Sequence, residues 1–192
     1  MTAPRRGRMK LLLLAALFFA PVVGAIAVFF YAPEWFAGRV NYGTLVSPAR
    51  PLPALALADA SGAPAAGVLA GKWTLLYLGA ASCGESCRER LLLSRQVRLA
   101  LGRNLERVRR VYLAPSAAAA DATRAQLAAG HPDLVVVAEI EPRAAAFFRP
   151  TDPDALYLID PLGNWVMSYA GAVEHKGLHR DLKKLLRVSR VG

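Results

Sequence analysis

No acidic residue occurs before Glu34, and no charge of either sign lies between Leu11 and Tyr31. The uncharged run LLLLAALFFAPVVGAIAVFFY counts 21 residues. At 1.5 Å rise per residue that length covers the ~30 Å hydrocarbon core of a bilayer, so residues 11–31 are expected to form a transmembrane helix. Pro21 in its middle would kink a soluble helix, yet membrane helices tolerate it. Arg5, Arg6, Arg8 and Lys10 stand before the run and make 1–10 a basic segment held in the cytoplasm, which sends everything after Tyr31 across the membrane. Ala25-Ile26-Ala27 has the small-x-small form of a cleavage site, but Val28, Phe29 and Phe30 carry the apolar run past it. That run exceeds the ~7–15 residues of a signal peptide, which favours an uncleaved anchor.

Other scarcities narrow the function. The remaining 20 basic and 14 acidic residues leave +6, but the bases Arg88, Arg90, Arg103, Arg107, Arg109 and Arg110 are mixed with acids and lack interleaved aromatics. A nucleic-acid stripe is therefore not indicated, and the excess reads as solvated surface able to tolerate anionic lipid or an acidic partner. No repeat recurs at a solenoid period, and 192 residues are too few for two ordinary domains beside an anchor. There are only two cysteines, Cys83 and Cys87, and the anchor places them in an oxidising compartment, where a thiol pair is a structural disulfide, a redox couple or a metal site.

The chain beyond the membrane reads in order. Residues 32–51 hold Pro33, Pro48 and Pro51 and little periodicity, which suits a linker, with the domain expected over 52–192. Leu55 and Leu57 suggest a short strand ending at a Ser61-Gly62 turn, and the apolar run 72–79 a buried central strand. A helix over 83–101, a strand over 107–113, a helix over 116–129 and a strand over 134–137 follow. Residues 155–159 and 165–169 flank Asp160-Pro161-Leu162-Gly163-Asn164 as a β-hairpin, and 175–188 form a closing amphipathic helix. This is an α/β order with an antiparallel end, fitting a thioredoxin-like central mixed sheet.

Cys83-Gly84-Glu85-Ser86-Cys87 directly follows the expected central strand. Ser82 and Glu85 have capping-box spacing, which would make Ser82 the N-cap, Cys83 the first helical residue and Cys87 one turn further on the same side. A thiol there meets orphan N–H groups and the positive end of the helix dipole, both favouring thiolate. Cys83 is thus the expected nucleophile or first metal ligand, and Cys87 the resolving thiol or second ligand. A loop this short gains little stability from closure, so a merely structural disulfide is a poor reason for the pair.

Taken with the run Gly71 to Gly79, the segment Leu156-Tyr157-Leu158-Ile159-Asp160-Pro161-Leu162-Gly163 and the closing Asp181 to Leu186, the cysteine motif resembles the SCO family of cytochrome oxidase assembly proteins over the whole domain. The resemblance implies a thioredoxin fold, copper bound through both cysteines and a histidine, and delivery to, or reduction of, the CuA site of cytochrome c oxidase or action on another assembly factor. It places Asp152 where the family's histidine belongs. Two thiolates suffice for Cu(I), whereas Cu(II) needs the imidazole and a carboxylate replaces it poorly. Gly84 also stands where the family usually has proline. Three function readings follow: a Cu(I)-binding assembly factor, a metal-free thiol-disulfide oxidoreductase, and an interaction module. Lesser candidates are His175 and His179, four apart on one helix but short of further ligands, His131 in a turn, Met167 as thioether or core residue, and Pro153 as a cis proline facing the dithiol.

Overall fold

The computed structural model describes residues 4–31 and 41–189 and divides into two units, Met1–Val40 and Asn41–Gly192. In the first, helix α1 runs from Pro4 to Tyr31 with Pro21 inside it, and its stretch Gly7–Tyr31 is long and apolar enough to cross a membrane.

The second unit is built on one seven-stranded sheet. Its strands are β1 (Thr44–Pro51), β2 (Leu57–Ala58), β3 (Trp73–Leu78), β4 (Val108–Ala114), β5 (Leu134–Glu139), β6 (Leu156–Ile159) and β7 (Asn164–Tyr169), in the order β1-β7-β6-β3-β4-β5-β2. The central trio β3, β4 and β5 is parallel, and both flanks are antiparallel. Parallel strands are covered on both faces and so need near-continuous apolar runs, which WTLLYL supplies in β3. Successive side chains of β3 serve opposite cores. Leu75 and Tyr77 pack with Leu91, Leu178 and Leu182, while Leu76 packs with Val111, Phe148 and Trp165.

Helices α2 (Glu85–Ala100), α3 (Ala117–Leu127) and α5 (His175–Val188) supply the first core, and α4 (Ala144–Phe148) the second. Ser116 caps α3 by accepting the Ala119 N–H at 3.2 Å, the function its short hydroxyl serves best. The β6–β7 hairpin turns at Gly163, whose φ of +85° only glycine adopts freely.

Three sequence expectations change. Residues 44–51, read as linker, form β1 on the edge of the sheet beside β7, because Trp165 and Met167 offer an apolar strand to pair with. Helix α4 was not anticipated; five residues are too few to show helical period. Arg110, read as part of a solvated surface, is 1% exposed. Alternation along β4 puts it on the same face as Val108 and Tyr112, and its guanidinium meets Asp133 at 3.0 Å, Ser94 Oγ at 3.0 Å and the Leu91 carbonyl at 2.6 Å.

Candidate functional site

At the C-terminal end of β3 the chain must turn out of the sheet, and Gly79 permits it. A Cβ built there would lie 2.0 Å from the Tyr112 ring, which packs across the glycine, stacks on Tyr77 at 5.6 Å and donates its hydroxyl to the Ala80 carbonyl at 3.2 Å. Gly79→Ala should therefore cost about 1–3 kcal/mol by forcing the ring aside. Denaturant unfolding of the variant checks this, and a loss under about 0.5 kcal/mol would show that Tyr112 moves freely.

The turn then delivers Cys83 and Cys87, which are joined as a disulfide with Cα atoms 5.3 Å apart. Helix α2 begins two residues later than its sequence spacing suggests. Gly84 is the N-cap in extended conformation without a side-chain cap, so Ser82 does not cap, Cys83 precedes the helix and Cys87 is its third residue. Cys83, bonded to Cys87, lies outside the helix, and Glu85 is the first helical residue, where its negative charge suits the dipole. The Cys83 carbonyl is held from two helices, by Gln126 Nε2 at 3.0 Å and Arg88 Nη1 at 3.3 Å.

Both cysteines pack closely, 2% and 5% exposed, yet Cys87 also lines an open cleft of about 360 Å³ with Tyr77, Ser82, Pro153, Asp154 and Tyr157. Tyr77 donates to Asp154 Oδ1 at 2.5 Å. Burial first, and then the bond and charge of Asp154, push the Tyr77 hydroxyl far above its ordinary value, so it remains a proton donor throughout the physiological range.

Asp152 does something different from the role its position implied. Oδ1 accepts the Asp154 N–H at 2.9 Å and Oδ2 the Gly171 N–H at 2.5 Å, tying the turn before β6 to the loop after β7. Burial pulls this carboxyl upward, but the two N–H groups and the field of Arg90 outweigh it and leave the group below the usual carboxylate range. Its oxygens are spent on the backbone, and it does not line the cleft. Among the described residues no three His, Cys, Asp or Glu side chains are grouped to hold a metal. The donor set thus fits a soft, two-coordinate ion once the disulfide is reduced, and does not fit Cu(II).

The other candidates resolve into structural parts. His175 and His179 stack with ring centroids 6.3 Å apart, and His179 reaches the Ala100 carbonyl rather than a third ligand. Met167 is 1% exposed, and its sulfur accepts the Tyr169 hydroxyl at 2.9 Å, so it is a core residue. His131 lies 3.3 Å from Arg110. Pro153 does line the cleft, but its peptide bond is trans; the turn closed by the Ala155 N–H on the Asp152 carbonyl accommodates it so, and the cis bond among the described residues is Ser47–Pro48. Tyr77, Asp154 and Gln126 went unnoticed in the sequence, since each reaches the site through the fold from a distant position.

A disulfide on the turn between a central parallel strand and the next helix, beside a proline-walled cleft, defines a thioredoxin-like protein. The chain belongs to the family described as transmembrane-like, thioredoxin-like, C-terminal domain, whose model matches residues 73–189. No curated protein matches it. Among solved structures it is similar in fold to copper-bound ScoI of Arabidopsis thaliana, with 21% identity, a TM-score of 0.57, and 69% of this chain and 96% of that one covered. Yeast Sco1 matches at 18% identity and TM-score 0.63 over 75% and 98% of the two chains. Apo Sco1 of Thermus thermophilus matches at 18% and 0.55 over 79% and 98%.

Proposed function

We propose that this chain is a membrane-anchored, Sco-like protein that works through the Cys83–Cys87 couple on the outer face of a membrane, and that it serves assembly of the CuA site of cytochrome c oxidase. The observation that carries the reading is the bonding contact of the two cysteines at the cleft, on a fold shared with copper-bound ScoI. In the reduced state Cys83 thiolate attacks one sulfur of a partner disulfide, and the partner's other sulfur leaves as thiolate and takes a proton. Cys87 thiolate then attacks the Cys83 sulfur of the mixed disulfide, the second partner thiolate leaves, and two electrons have passed to the partner. The same two thiols, on losing both protons, can carry Cu(I) as cargo between their thiolates, since a d¹⁰ ion accepts two soft donors.

Among the described residues no third ligand is grouped with the cysteines, which favours Cu(I) over Cu(II) and gives weight to the second reading, a metal-free oxidoreductase. Anaerobic titration of the reduced full chain in detergent, in competition with a chromophoric chelator, separates them. One equivalent of Cu(I) should bind, Cu(II) should not, and Cys83→Ser should lose Cu(I) by at least about 10²-fold, as loss of one of two ligands requires. A reduced protein that holds neither ion while its disulfide shows a measurable potential would leave the oxidoreductase alone.

A further inference from the structure

One concavity of the domain lies far from the cysteines in sequence, between α5 and the 3₁₀ turn Gly102–Arg107. It measures about 630 Å³, and six cations line it: Arg103, Arg107, Arg180, Lys183, Lys184 and Arg187. Among the described residues no acidic side chain lines it. The fold accounts for Arg107, which holds the carbonyls of Leu186 at 2.8 Å and Ser189 at 2.7 Å and so fastens the end of α5. Of the other lining cations along α5 it accounts for Arg180, which holds Tyr42, and among the described residues it gives no ion pair to Lys183, Lys184 or Arg187. Arg180 with Lys184, and Lys183 with Arg187, are like-charge pairs four residues apart, an arrangement that weakens a helix unless an anion is shared between the charges.

The path of the chain bears on which anions come near these cations. Residues entering the domain are fastened to this same helix. The Tyr42 and Gly43 N–H groups donate to Asp181 Oδ2, each at 2.9 Å, and Arg180 donates to the Tyr42 hydroxyl at 2.8 Å while its guanidinium lies 5.4 Å from the Tyr42 ring. Gly177 leaves room for that ring, as a Cβ there would approach it to 2.7 Å. Arg180 is thus both a wall of the groove and the clamp on the incoming chain. The ten peptide steps from Tyr31 to Asn41 can reach at most about 35 Å at full extension. Given the anchoring reading above, on which this inference rests, Asn41 can be no further than that length of chain from Tyr31, and effective concentration favours a ligand fixed in the bilayer surface.

We propose that the α5 groove docks on the anionic headgroups of the membrane that holds α1. Several phosphodiester anions can share these cations, and docking orients the domain through the clamp on Tyr42. An adjoining carboxylate, Glu106 on the 3₁₀ turn, pairs with Arg98 at 3.5 Å.

Lysine acetylation of the full chain, reconstituted in vesicles of phosphatidylcholine alone or with about one-third phosphatidylglycerol, tests this, with mass spectrometry reading each lysine. In anionic vesicles Lys183 and Lys184 should be acetylated about fivefold or more slowly, with Lys72 unchanged as internal reference. The protection should vanish near 0.5 M salt, where the screening length falls to about 4 Å. Arg180→Gln with Arg187→Gln should abolish most of the protection of Lys184. Equal rates in the two lipids would overturn the proposal, as would protection by millimolar inorganic phosphate in neutral vesicles without protection by anionic lipid. Flotation with neutral vesicles reports the anchor separately, so failure of α1 to hold the membrane is distinguishable from failure of the groove.

Discussion

Asp133→Ala should destabilise the domain by about 3–5 kcal/mol, the cost of stranding a buried charge. The charge stranded is Arg110, 1% exposed in the core face of β4, whose carboxylate partner stands at 3.0 Å with its own side chain 21% exposed. Two further cations turn to the same carboxylate, Arg98 at 3.4 Å and Arg95 at 3.9 Å, so its removal leaves three like charges around one site. Burial lowers the Arg110 guanidinium below its ordinary value and Asp133 raises it, a sign that the carboxylate is what keeps a buried cation tolerable. For a domain of this size the loss amounts to a fall in Tm of roughly 10 °C. Arg110→Met in the same chain should recover most of it, because an apolar side chain of similar length needs no partner. Thermal unfolding of the single and double variants decides the matter, and a single-variant cost below about 1 kcal/mol would mean that water reaches Arg110.

The same cluster sets an acid sensitivity. Desolvation, outweighed by Arg110, its hydrogen bond and Arg98, leaves Asp133 below its ordinary value, so its contribution to stability is complete above about pH 4 and is lost as pH falls through the lower folded value. His131 is held below its ordinary value by burial and then by Arg110 and Arg95, so the unfolded chain takes up that proton first and stability begins to decline as pH drops below about 6.5.

Much of the fold was legible because its strands and helices carry strong periods. WTLLYL, LYLI and the leucines of α5 carry the apolar patterns that their buried strands and helix need. What escaped was decided by pairing partners rather than by local pattern. The strand β1 is polar and proline-bearing and acquires its shape only against β7, and Arg110 is paid for by an aspartate 23 residues away. Alternation along β4 did carry the hint, since it aligns Arg110 with Val108 and Tyr112 on one face.

At the site, the cysteine spacing and its place after β3 were readable, but the helix start was not. Ser82 and Glu85 satisfy a capping rule, yet the helix starts after Gly84 and leaves Cys83 outside it, bonded to Cys87. Asp152 was located by resemblance alone, and only the backbone N–H groups of Asp154 and Gly171 reveal that it braces two loops.

Either Cys83→Ser or Cys87→Ser should reduce turnover in disulfide exchange by about 10²-fold or more, because attack and resolution each need a sulfur. The two variants should differ in what they trap. With Gly84 as N-cap, the first intrahelical bond of α2 runs from the Arg88 N–H to the Gly84 carbonyl at 3.1 Å, so the N–H groups ahead of it belong to the partnerless set at every helix start. Cys83 stands just outside that set, where a thiolate is favoured by the dipole and by Arg88, which already lies on the Cys83 carbonyl. The Cys87→Ser chain should therefore form a stable mixed disulfide with an aromatic disulfide reagent through Cys83, at a rate roughly 3- to 10-fold above that of Cys87 in the Cys83→Ser chain, the gain in thiolate fraction being partly offset by lower nucleophilicity. Stopped-flow absorbance gives both rates, and their pH profiles give the two thiol values. Faster reaction at Cys87 would assign attack to the residue that lines the cleft and make Cys83 the resolving thiol.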